Sequence, residues 1–184
     1  MDLSYIPSVI KQFEYNKSLG DKTFKQLTTE QLFFTCNEES NSIATLVKHI
    51  SRNMRSRWTN FLTEDGEKSW RNRDEEFINT YTTKEEVLLD WEKGWNCLFE
   101  NLHTITPENS NTIVYVRNEG HTIAEAINRQ LCHYSYHIGQ MVMIGKMVQN
   151  TNWKTLSIAR NASKSYNEEK FSKNKSKKHF IDNL

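Results

Sequence analysis

Thr122-Ile123-Ala124-Glu125-Ala126-Ile127-Asn128-Arg129-Gln130-Leu131-Cys132-His133-Tyr134-Ser135-Tyr136-His137-Ile138-Gly139-Gln140-Met141 is the stretch whose reading decides the fold. Ile123, Ala126/Ile127, Gln130, His133/Tyr134, His137, Gln140/Met141, Ile144 and Met147/Val148 recur every three or four residues, which is one face of an α-helix. Thr122 and Glu125 form a capping box at its start. Extended to Gln149, the helix is on the order of 40 Å long at 1.5 Å per residue. His133 and His137 both fall on the face expected to be buried. Residues four apart are neighbours one turn apart, so both imidazoles can reach one spot. Buried imidazoles need polar partners, because burial without them is costly. A shared metal ion would serve, with His49 of an earlier helix completing the set, since imidazole is a common ligand. Hydrogen bonds to Gln130, Asn128 or a tyrosine would serve as well, and spacing leaves both readings open.

Working outward, three more helices carry one apolar stripe each. The third opens with the capping box Thr83-Lys84-Glu85-Glu86 and continues through Val87/Leu88, Trp91, Trp95, Leu98, Leu102 and Ile105 until Pro107 stops it. Both tryptophans read as core. The second starts at Ser42 as N-cap and runs to about Leu62 through Ile43, Val47, Ile50, Met54 and Phe61. The first begins near Ser4 with Pro7 in its opening turn, and Gly20 marks a kink or an early end. Residues 28–41 read as irregular. A polar connection of roughly 20 residues, 63–82, joins the second and third helices, with Asp65-Gly66 as a turn signal. Thr112-Ile113-Val114-Tyr115-Val116, followed by Asn118-Glu119-Gly120, reads as a short strand or hairpin arm. The expected class is therefore all-α, a four-helix bundle. A connection that long can run the length of the bundle, which gives an up-down-down-up order. Trp153, Leu156 and Ile158 read as a segment packed on the bundle. The domain is expected over 1–167, with a basic Ser/Asn-rich tail without fixed structure over 168–184.

Composition narrows the function classes. Only 6 Gly and 2 Pro in 184 residues suit long uninterrupted helices. A net charge of +1 gives no overall field to recommend nucleic acid or a membrane as the main partner. No apolar run approaches a membrane span. The 3 cysteines, Cys36, Cys97 and Cys132, are odd in number and lack CxxC spacing, which suggests free thiols in a reducing compartment. The expected location is the cytoplasm.

Two groups of residues carry a family resemblance. One is Asn41-Ser42-Ile43-Ala44 leading to His49, then Asn53, Arg57-Trp58, Phe61-Leu62 and Asp65-Gly66-Glu67. The other is His133-Tyr134-Ser135-Tyr136-His137-Ile138-Gly139-Gln140-Met141. Together they resemble the DinB/YfiT-like superfamily, in its small-protein branch of unassigned function, over most of residues 1–167. The segment 153–167 departs from the pattern, with Ala159 and Asn161 where a Pro and a Gly are expected. The resemblance implies a divalent metal (Zn, Ni or Fe) on His49, His133 and His137, and a homodimer. Related members include S-transferases and isomerases that use low-molecular-weight thiols such as bacillithiol or mycothiol.

Three neutral imidazoles leave a divalent ion its full charge and an open position, the pattern of a catalytic site. Such an ion can activate a thiol or a water. Asn53 and Arg57, one and two turns past His49, are the candidate substrate-binding residues, with Arg57 suited to an anion. Gln140 can support the site from behind. No Asp or Glu has general-base spacing to the histidines, which favours thiol activation over hydrolysis. The leading expectation is a metal-dependent transferase acting on a small-molecule substrate with a low-molecular-weight thiol. The alternatives are a non-catalytic metal-binding, dimeric interaction protein and a metal-dependent hydrolase.

Overall fold

The computed structural model describes residues 4–183. Residues 1–3 and 184, at the ends of the expected domain and tail, lie outside the described residues. The protein is mostly helical with one small two-stranded sheet. Four long helices, α1 (Tyr5–Phe24), α3 (Ile43–Trp58), α4 (Lys84–Leu102) and α5 (Ile123–Gln149), contribute to a single hydrophobic core. A short helix α2 (Thr29–Phe33) and a peripheral helix α6 (Ser163–Phe171) complete the helical set.

The helix starts follow the local chemistry of the chain. Thr83 and Thr122 each accept the N3 backbone N–H while Glu86 and Glu125 reach back to the cap, so two otherwise orphaned donors are satisfied at each start. Ser42 accepts from Thr45 N at 3.1 Å. The expected irregular stretch contains α2, because Thr28 and Gln31 form a third capping box. At the other end, α3 stops at Trp58, short of Leu62, and Asn60 then turns with φ 49°. Gly20 neither kinks nor ends α1. The indole of Trp91 lies where a side chain at residue 20 would stand, and the ring donates to Asp21 Oδ1 at 2.8 Å. Gly94 has a similar role between α4 and α3, where an added Cβ would stand 2.8 Å from Ser51 Cα.

Strands β1 (Ile113–Val116) and β2 (Glu119–Thr122) pair antiparallel, with Ile113 opposite Thr122 and Val116 opposite Glu119. The two turn residues, Arg117 and Asn118, both have positive φ, 56° and 64°, as a tight hairpin matching the strand twist requires. The hairpin is tied to the crossover between α3 and α4. Asp65 accepts from Arg117 N and Asn118 N at 2.9 and 2.8 Å, and Gly66 N donates to Tyr115 O at 2.7 Å. Ser56 on α3 then donates to Gly66 O at 2.7 Å. The crossover is thus clamped between helix and hairpin, and it carries a 3-10 turn, Asp74–Phe77, whose Glu76 is fully buried.

Past α5, Asn161 takes φ 66°, the left-handed conformation a glycine would hold, which Asn tolerates. Helix α6 has no buried residue. The segment expected to lack fixed structure returns to α1. His179 contacts Gln12 at 3.2 Å, Phe180 packs edge-on against Tyr15 at 4.9 Å, and Asp182 pairs with Lys11.

Candidate metal centre

His49 comes from the middle of α3, and His133 and His137 from the middle of α5. The wheel places His49 at the edge of its stripe, yet the residue is only 4% exposed. The crossover explains the difference, since the Phe77 ring stacks on His49 at 4.7 Å and 28°. The three Nε2 atoms converge. His133 Nε2 lies 3.2 Å from His49 Nε2 and 3.1 Å from His137 Nε2. The rings meet nearly edge to face, at 74–82°.

The back of the site assigns the protons. His49 Nδ1 lies 2.8 Å from Glu76 Oε2, and His137 Nδ1 lies 2.8 Å from Gln140 Oε1. Both partners are acceptors, so Nδ1 of each imidazole carries a proton, and the neutral form of either ring presents a bare Nε2 lone pair to the centre. His133 Nε2 carries at most one proton and can donate to only one of them. At least one lone pair is therefore left facing another nitrogen, an arrangement that a cation relieves. Nitrogens bound to one zinc at about 2.0–2.1 Å in tetrahedral geometry stand roughly 3.3 Å apart. Two of the three separations, 3.1 and 3.2 Å, match that spacing, and the three ligand atoms all lie within 4.8 Å of one another. Among the described residues these three histidines form the one group of His, Cys, Asp and Glu arranged to hold a metal ion.

Electrostatics favour neutral rings at His133 and His137. Burial, reinforced by the neighbouring His137, His49, Arg57 and Arg71, pushes His133 down to about 3. Burial also lowers His137, outweighing the opposing bond to Gln140. Glu76 is the carboxylate that the expected absence of a nearby Asp or Glu overlooked. Burial alone would raise its pKa. Hydrogen bonds from His49 and Arg71, together with the Arg71 charge, hold it below the usual carboxylate range. Arg71 donates through Nε to Oε1 at 2.7 Å and through Nη2 to Oε2 at 2.9 Å. Glu76 is therefore committed to orienting His49 and does not line the open side of the site.

That open side is a cavity of about 320 Å³. Asn53 and Arg57 line it together with all three histidines. Asn53 Oδ1 accepts from Tyr134 Oη at 3.2 Å, and Tyr134 in turn accepts from Trp58 Nε1 at 3.2 Å, so Asn53 is braced by the core. Arg57 bonds Gly66 O and, at 3.1 Å, Glu67. Cys132, next to His133 in the chain, is exposed and does not line the cavity. Arg71, Glu76 and Phe77 were missed from sequence. The one signal for them was Phe77, an apolar aromatic that directly follows the acidic run Asp74-Glu75-Glu76 in a mostly polar connection.

No curated protein and no solved structure matches the chain. One family model does, over residues 1–162, and by that match the chain belongs to DUF1572, a family described as proteins of unknown function.

Proposed function

We propose that the protein is a metal-dependent enzyme of DinB-like, up-down-down-up four-helix-bundle architecture, in which His49, His133 and His137 hold a divalent ion (Zn, Ni or Fe). The observation that carries the proposal is the convergence of the three Nε2 atoms, with two of the rings oriented from behind by Glu76 and Gln140. The ion supplies a positive charge that lowers the pKa of a thiol or water presented to it. The protein's own groups do the rest. Glu76 and Gln140 hold the imidazole tautomers, Phe77 shields His49 from water, and Arg57 and Asn53 line the approach. No carboxylate lines the cavity to act as a general base. This favours transfer from a low-molecular-weight thiol, which needs only deprotonation, over hydrolysis.

The proposal includes a cytoplasmic location, in keeping with three cysteines that are all unpaired. No helix among the described residues is long and apolar enough to cross a membrane. A homodimer belongs to the same reading, supported by Tyr136, Met143 and Met147, which are exposed along one side of α5. The test is metal content of protein purified without an affinity tag, beside His49→Ala/His133→Ala/His137→Ala. About one metal per chain, lost in the triple variant, is the expected result. No metal in the native protein, and no uptake of zinc, nickel or iron, would overturn the proposal.

A further inference from the structure

Five arginines, Arg57, Arg71, Arg73, Arg117 and Arg129, line the cavity in front of the histidines, and no Asp or Glu does. In a chain whose net charge is only +1, that is a local concentration of one sign. Two carboxylates close to the cavity, Glu76 and Glu67, are already engaged. Glu76 is held by Arg71 and His49. Glu67 is shared among Arg57, Arg71 and Arg117 at 3.1, 3.3 and 3.2 Å. Every arginine–carboxylate ion pair among the described residues involves Arg55, Arg57, Arg71 or Arg117, so Arg73 and Arg129 have none.

The outer three arginines are exposed, come from three separate elements and are individually positioned. The guanidinium of Arg73 lies 5.1 Å over the Phe77 ring, whose own stacking partner is His49. Arg117 sits in the hairpin turn that Asp65 holds through two backbone N–H groups. Arg129 lies one turn before His133 on α5, on the same side of the helix. Deeper in, Arg57 Nε and Gln130 Oε1 are buried with no hydrogen-bond partner, and both residues line this cavity. Like charges gathered around a low-dielectric cleft repel one another and focus the field on an incoming anion.

We infer that the substrate of this site is an oxyanion with at least two negative charges, carboxylate or phosphate, docked on Arg73, Arg117 and Arg129 with its reacting end toward the histidines. The guanidinium fork pairs bidentately with either group. The inference rests on the proposed metal centre for what happens at the reacting end, though not for the anion's binding.

The test is calorimetric titration of inorganic phosphate and, separately, succinate into wild type and into Arg73→Gln/Arg117→Gln/Arg129→Gln, each zinc-loaded and metal-free. All three substitutions are at exposed positions, and thermal unfolding verifies that the variant is folded. Wild type is expected to bind at least one probe at one per chain, more weakly as salt rises. Removing one charge-assisted hydrogen bond to the anion weakens binding about tenfold or more, so the triple variant should bind at least about a hundredfold more weakly. Tighter binding of succinate identifies a carboxylate substrate, and tighter binding of phosphate a phosphate. Binding of neither probe by wild type at about 10 mM, or equal binding by wild type and variant, overturns the inference. Anion binding that depends on the three arginines in protein that takes up no metal would sink the metal centre alone. One metal per chain without such binding would sink the anion site alone.

Discussion

Glu76→Gln should damage the protein twice, once in stability and once in metal affinity. The side chain keeps its size but not its symmetry. As a carboxylate, Glu76 accepts from His49 Nδ1 through Oε2 and from Arg71 through both oxygens. An amide has one acceptor and one donor end. If its oxygen faces His49, its NH2 meets the Arg71 Nε–H, donor to donor. If its NH2 faces His49, the imidazole must take the other tautomer and point a proton at the centre of the site. Arg71, with a side chain only 2% exposed, loses its main counter-charge in both cases and keeps Glu67 at 3.3 Å. Breaking a buried pair from one side costs about 3–5 kcal/mol, and the remaining Glu67 pairing puts this case near about 3 kcal/mol. For a chain of this size that is a fall in Tm of about 6–12 °C. Losing the group that orients a ligand histidine should weaken metal binding about 10–100-fold. Because the folded carboxyl lies below its ordinary value, its contribution is present above about pH 4.3 and is lost as the pH falls through the lower folded value. The stability gap between wild type and variant should therefore close in acid. Thermal unfolding of metal-free protein and zinc competition against a chelator measure the two effects. A variant within about 2 °C of wild type, with unchanged zinc affinity, would refute the role given to Glu76.

Gly94→Ala gains helix propensity of about 1 kcal/mol but drives a methyl group against the backbone of Ser51; a net loss of about 1–2 kcal/mol in denaturant unfolding is expected. Tyr134→Phe strands the Trp58 N–H and frees Asn53 in a fully buried setting, which should cost about 1–3 kcal/mol and alter Trp58 fluorescence. In metal-free protein His133 and His137 titrate below the ordinary imidazole value near 6.5, so the unfolded chain binds more protons in that window. Stability should be full above about pH 6.5 and fall steadily toward pH 3, read as urea midpoints between pH 8 and pH 4.

The helical class and the His133/His137 pair were legible because each rests on local periodicity, whereas His49 entered through the family resemblance. Three capping devices and four stripes are written within single elements, and His133 and His137 share one turn of one helix. What escaped depends on partners far along the chain. The burial of His49 could not be read from α3, because what covers it is Phe77, in a different segment. Glu76 lies 27 residues from the histidine it orients, in a connection whose polarity suggested solvent. Gly20 reads as a helix breaker until Trp91, 71 residues later, is seen to occupy its missing side chain's place. Helix α2 was obscured by its length, since five residues are too few to show a period.

The clamped crossover also bears on the order of events in folding. His133 and His137 are neighbours as soon as α5 coils, on the submicrosecond scale of helix formation. His49 and its orienting carboxylate arrive only when α3 has docked and residues 59–83 have been fastened between helix and hairpin. Under the proposed metal centre the chain would offer a metal two imidazoles until then and three afterwards. Metal affinity would then be a gauge of completed folding, and on that proposal a chain nicked within residues 59–83 should bind metal more weakly while its helical signal stays close to that of the intact protein.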